Sequence, residues 1–270
     1  MTADGRHAPA TARTAPKRVL GLWCPERPAS AGDPSPLITG TSTMRFVDDS
    51  PAPRTAPTLK ALVAPEPETA HPDPVALDAH LARNRYGRFT LTDAVRPGWQ
   101  LDVVPKAGYR HDTYVDPATG ARLPAIVAAV SSEQLFDTFL ELLEPLGDAC
   151  DVVLESSHEE AVGRREFTRE GMERLVLESV LWEFEDLLLN DGCTGIAVMH
   201  PELSLEVQLD EHKLLVAYAQ PRLPFERILR ARGLGRDDRL RFISQGEHMH
   251  TSNARHARRF DELAARLGVC

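Results

Sequence analysis

Leu203-Ser-Leu-Glu-Val-Gln-Leu-Asp-Glu-His-Lys-Leu-Leu-Val-Ala-Tyr-Ala219 is the stretch on which the fold class turns. Leu203, Leu205, Val207 and Leu209 alternate with Ser204, Glu206 and Gln208. That period of two sends one set of side chains to each face of a β-strand. Asp210 and Glu211 supply a turn, and residues 213–219 return as a second, more apolar strand. Elsewhere helices and strands alternate along the chain. An unbroken alternation would specify a doubly wound parallel sheet. The hairpin interrupts it and predicts an α+β fold, a mixed β-sheet with helices packed on it.

Upstream of the hairpin, residues 195–199 form an apolar strand. Before them, residues 169–190 read as one amphipathic helix, with Leu177, Val180, Leu181, Phe184, Leu187 and Leu188 on its buried face. Residues 151–154 and 125–130 are short apolar runs, the pattern of strands covered on both faces. Between them Ser131 precedes a helix with Leu135, Phe136, Phe139, Leu140 and Leu143 as its stripe, and Gln134 stands where a capping box needs it. Residues 99–104 alternate like a further strand, and residues 116–120 make a turn. Downstream, Pro224 opens a helix closed by Gly233, residues 239–244 read as a strand, and a last helix runs from about Asn253 to Gly268.

The first 80 residues hold 13 of the 21 prolines and few large apolar side chains. Too little apolar surface is available there to offset the entropy of ordering, so residues 1–80 are expected to be a disordered Pro/Ala-rich tail. Residues 83–268 are expected to form one α+β globular domain, long enough to bury a substantial core. Met44 offers an alternative translation start within the tail.

The net charge of −9 argues against a dedicated phosphate-backbone binder, and nucleic acid is not the expected partner. No apolar stretch approaches the ~20 residues of a membrane-spanning helix. Cys24, Cys150, Cys193 and Cys270 lie far apart with no C-x-x-C, the usage of a reduced, cytoplasmic protein. Phosphate-loop, dinucleotide-fingerprint, nucleophile-elbow and H-E-x-x-H signatures are all missing.

Chemistry-bearing residues concentrate in the C-terminal third. Glu206 and Gln208 share the polar face of their strand; Asp210, Glu211, His212 and Lys213 crowd the turn; Glu247, His248 and His250 follow residue 244. Imidazole and carboxylate donors suit Zn, Mn or Fe. His248 and His250, two apart in an extended segment, point to the same side as a metal pair must. Arg239 and Arg241 stand in a locally basic run fit for an anion or acidic partner, or for pairing with the acidic helix before the hairpin. Solvated hairpin charges need no function to explain them.

From Arg169 the order α-β-β-β-α-β is similar to the common core of the PD-(D/E)xK nuclease superfamily. That resemblance implies Mg²⁺ held by an acidic residue on the second strand and an E-x-K on the third. Glu206-Val207-Gln208 would be the corresponding tripeptide here, with Gln in the lysine position and one strand early, and residues 195–199 contain no Asp or Glu.

The leading expectation is a non-catalytic module that binds a protein partner or small ligand, with no cofactor, using Glu206, Gln208, Asp210, His212, Arg239 and Arg241. The alternative is a metal-dependent, nuclease-like hydrolase using Glu206, Asp210, His212, Glu247, His248 and His250, with Glu247, His248 and His250 as the residues that hold a divalent metal. Spacing alone does not bring the hairpin and the late histidines together. Neither reading fixes ligand, partner or oligomeric state.

Overall fold

The computed structural model describes residues 73–116, 120–158 and 163–269. The tail expected over residues 1–80 lies, up to residue 72, outside the described residues. Pro74–Leu81 forms helix α1, so the folded part begins before residue 83.

Short strands β1 (Arg85–Tyr86), β2 (Phe89–Thr90) and β3 (Val95–Pro97) come next. The long hairpin of β4 (Gly108–Val115) and β5 (Arg122–Ala129) follows, then α2 (Ser132–Leu143). After these stand β6 (Ala149–Ser156), β7 (Arg165–Glu173), α3 (Arg174–Glu183), α4 (Glu185–Asn190) and β8 (Thr194–Met199). The expected hairpin appears as β9 (Glu206–Leu209) and β10 (Leu214–Tyr218). The chain closes with α5 (Leu223–Ala231), β11 (His248–His250) and α6 (Ala254–Leu267).

Seven strands make one sheet in the order β4-β5-β10-β9-β8-β6-β7, and its pairings between these strands are antiparallel. The fold is α+β, with helices against a large antiparallel sheet. Register sorts the side chains by face. The row Ile126–Ala217–Val207–Val198–Val152 crosses five strands and lies in the larger apolar core. Helices α2 to α6 contribute Phe139, Leu177, Leu187, Phe225 and Leu263 to that same core. One residue along, the row Val127–Val216–Gln208–Ala197–Val153 faces the other way. There the cover is not helical: Tyr86, Phe89, Leu91, Val95, Leu240, Phe242 and Ile243 from irregular segments pack against Val127 and Val216.

Four local expectations fail for identifiable reasons. Residues 99–104 are turn and bend rather than strand; Leu101 adopts φ 51°, and its alternation serves a loop that buries Val103. Residues 239–244 form no strand, because Phe242 and Ile243 enter the second core as a 3₁₀ turn. The expected 169–190 helix begins only at Arg174. Residues before it belong to edge strand β7, whose mostly exposed, polar residues show no period of two, and Phe184 breaks the remainder at φ −120°. The capping box at α2 does not form. Ser131 Oγ instead accepts from the Thr90 N–H and bonds the Glu133 carboxylate. Strand β4 carried no legible signal, since its Arg110, His111 and Asp112 break up the apolar pattern of an edge strand.

Candidate metal centre

The polar residues of β9 are not solvated. Glu206, Gln208 and, just beyond the strand, Asp210 are all buried. Glu206 Oε1 accepts from Gln208 Nε2 at 2.6 Å, while Gln208 Oε1 is buried without a hydrogen-bond partner. One row along, Glu155 of β6 is buried and pairs with Arg164 at 2.5 Å; Gly195 opposite leaves room for it, since a Cβ there would stand 3.0 Å from the carboxylate.

Asp210 shapes the turn. Its Oδ1 accepts from the Leu214 N–H at 2.8 Å, and Lys213 takes up φ 61°. Its Oδ2 lies 3.0 Å from His212 Nδ1, which fixes the imidazole's orientation. Burial pulls the His212 pKa down, but the adjacent Asp210 charge prevails and leaves it above the usual histidine value, with Asp210 held below the usual carboxylate value. The Lys213 ammonium is buried too, donates to the Thr194 carbonyl at 2.8 Å, and is pushed down to about 8 by desolvation.

The late histidines come to the same place. β11 pairs antiparallel with β3, matching His248 to Pro97 and His250 to Val95. Both imidazoles then face His212, with ring centroids 4.9 Å and 4.8 Å from it and 5.1 Å from each other. Each is anchored through Nδ1: His248 to the Gly246 carbonyl at 2.8 Å, His250 to the Gly192 carbonyl at 2.7 Å. The Nε2 atoms of His212 and His248 are buried without a hydrogen-bond partner. One ligand atom from each of the three residues lies within 4.8 Å of the others. An ion bonded at about 2.1 Å to each would hold tetrahedral ligands about 3.4 Å apart, a distance reached by small ring rotations. Desolvation lowers the pKa of His248 and brings that of His250 to about 4, which favours the neutral form in which imidazole binds metal.

Gly192 makes the convergence feasible. Its N–H donates to the Thr251 carbonyl, and a Cβ on it would meet the Ala94 carbonyl at 2.4 Å. Only a glycine lets the 191–193 segment lie against the β3–β11 ribbon closely enough for its carbonyl to reach His250.

The other predicted residues stand apart from this cluster. Glu247 is exposed, on the opposite side of β11 from His248, with its side chain over Gly98. Arg239 and Arg241 are exposed, and Arg241 donates to the Asp102 and Gln245 carbonyls. Other arginines of that run pair within the chain, Arg266 with Glu183 and Arg232 with Glu141. The similarity to the nuclease core goes no further than element order, since Glu206 is bonded to the glutamine standing in the lysine position.

Sequence reading passed over Arg164, Glu155 and a second group, His158, Asp191 and Cys193. An Asp-Gly-Cys run after a helix reads as an ordinary stop signal. Its chemistry appears only once β6 and β8 lie side by side. Among the described residues no helix is long and apolar enough to cross a membrane. Protein-family models, curated proteins and solved structures provide no match to this chain.

Proposed function

We propose that this chain is a metal-dependent hydrolase whose ion, of the zinc class, is held by Nε2 of His212, His248 and His250. The supporting observation is the anchoring pattern. Each imidazole is fixed at Nδ1 by a carboxylate or a backbone carbonyl. Ligating histidines are generally oriented in this way, and the partner raises ligand basicity. Three imidazole nitrogen donors leave a fourth tetrahedral position for water, and zinc in such a set lowers the pKa of bound water to about 7.

This chain's own residues would do the rest. Asp210 holds His212 in the tautomer that presents Nε2. Glu211, between Asp210 and His212 in the turn, would supply a carboxylate as proton acceptor. The buried Lys213 offers a positive charge to a developing oxyanion.

One observation favours a second reading, in which the ion only braces a binding module. His212 and His248 are 4% and 3% exposed, a depth common to structural ions. A single experiment separates the two. Zn²⁺ or Mn²⁺ is added to metal-stripped protein, and melting is followed beside hydrolysis of p-nitrophenyl acetate and bis(p-nitrophenyl) phosphate. A rise in Tm with turnover that disappears in His248→Ala supports the hydrolase. A rise without turnover supports the bracing ion. No bound metal and no rise would sink both.

A further inference from the structure

We infer that a second divalent-metal site is built from His158, Asp191 and Cys193, on the far side of Gly192 from the histidine trio. Its donors come from different parts of the chain: His158 just after β6, Asp191 and Cys193 from the link between α4 and β8. A ligand atom from each lies within 4.8 Å of the others.

The local bonding is that of ligands aimed at a common centre. His158 Nδ1 is held by Ser156 Oγ at 2.7 Å, which leaves Nε2 to point inward. That Nε2 stands 2.9 Å from Asp191 Oδ2, yet the alignment is not that of a hydrogen bond, and the buried nitrogen has no partner. Asp191 is fully buried; Thr194 Oγ1 donates to its Oδ2, while its Oδ1 is also buried without a hydrogen-bond partner. Asp191 Oδ1 also lies 3.7 Å from His256 Nδ1, and the buried His158 Nε2 and Asp191 Oδ1, both without hydrogen-bond partners, are the atoms a shared cation would take up. Cys193 supplies a buried free thiol as the third donor.

The donor set selects the ion. Imidazole, carboxylate and thiolate together suit Zn²⁺, Co²⁺ or Cd²⁺ and disfavour Mg²⁺ and Ca²⁺, which take oxygen. Binding releases the thiol proton to solvent as the thiolate–metal bond forms.

The two sites meet at one peptide segment. Asp191 and Cys193 flank Gly192, whose carbonyl orients His250. An ion on Asp191 and Cys193 would stiffen the segment that holds a ligand of the first ion, so filling the second site should tighten the first. The inference rests on its own three residues and stands whether or not the histidine trio binds metal.

Cobalt separates the sites by spectrum, because only a thiolate ligand contributes a sulfur-to-metal charge-transfer band in the near ultraviolet. Full-length, metal-stripped protein titrated with Co²⁺ should develop this band as one equivalent fills the thiolate site, with a second equivalent where the trio also binds. Cys193→Ser should lose the band and one equivalent, whereas the double variant His212→Ala/His250→Ala should keep the band and lose the other equivalent. Cys150→Ser should leave the band unchanged. If Cys193→Ser does not fold, His158→Gln serves instead and should shift the band's titration midpoint at least tenfold. A wild-type chain that gives no band, or one whose band survives Cys193→Ser or is unmoved by His158→Gln, overturns the inference.

Discussion

The two faces of the seven-stranded sheet are made from alternate residues of the same strands, yet they are different materials. The face under the helices is apolar across five strands, from Ile126 to Val152. The opposite face is mixed. Beside Val127, Val216, Ala197 and Val153 it presents Gln208 and Glu206 of β9 and Glu155 of β6, all buried. Helices bring a continuous apolar stripe to a sheet, whereas loops and short strands carry polar side chains and backbone groups that can satisfy buried polar atoms. The polar half of the sheet is tolerable because its roof is irregular, and the histidine trio sits beside that roof.

That contrast can be broken at graded strengths. Phe139→Ala, in the middle of the helical face and fully buried, should lower stability by about 3–5 kcal/mol in urea titration. A near-neutral result would mean the face is not tightly packed. Gly192→Ala forces a methyl into backbone and should lower stability by about 1–3 kcal/mol, with loss of metal from the trio. Retained metal content in that variant would show that the close approach is dispensable.

Zinc at a hundredfold excess over its Kd should stabilise the wild-type chain by about 2.7 kcal/mol. In a Cys193→Ser background, which removes the thiolate site, the gain should disappear with His248→Ala, as read by thermal melting with and without the ion. Asp210→Asn keeps the shape of the turn but weakens the anchor on His212, so chelator competition should show zinc affinity falling about 10- to 100-fold. An unchanged affinity would separate Asp210 from the site.

The smallest effect concerns the latch between the two layers. Hydrogen bonds from Ser131 and Thr90 hold the Glu133 pKa below the ordinary carboxylate value. The folded pKa is the lower one, so the stabilisation is present above the unfolded value near 4.5 and is lost as pH falls through the folded value. The group is largely exposed and screened, so Glu133→Gln should cost at most about 0.5 kcal/mol at pH 7 and nothing in acid. A larger penalty would mean that the layers depend on this contact.

Legibility in the sequence followed the size of the local signal. The β9–β10 hairpin, the stripe of α2 and the Asn253-to-Gly268 bounds of α6 rest on neighbours a few residues apart, and all appear. Asn253 caps α6 through its side chain, and Gly268 closes it at φ 67°. Strands β4 and β7 were unreadable because they are sheet edges with mixed polar patterns. The pairing of His248 with His250 on one side of an extended segment was likewise a local matter. Their meeting with His212, and the exclusion of Glu247 from the group, were not.

What the amino-acid order determined by itself is therefore periodicity: which residues share a face, where helices stop, and that one hairpin breaks the alternation of elements. Tertiary structure decided which polar face would be covered. Burial of Val127 and Val216 on that face depends on Phe89 and Val95, more than a hundred residues upstream of the hairpin, and on Phe242 beyond it. Bringing His158 to Cys193, or His212 to His250, likewise requires strand pairings and a glycine contact between distant segments. The physical reason is range: side-chain alternation is a property of neighbouring peptide units, whereas a ligand sphere is a property of the packed chain.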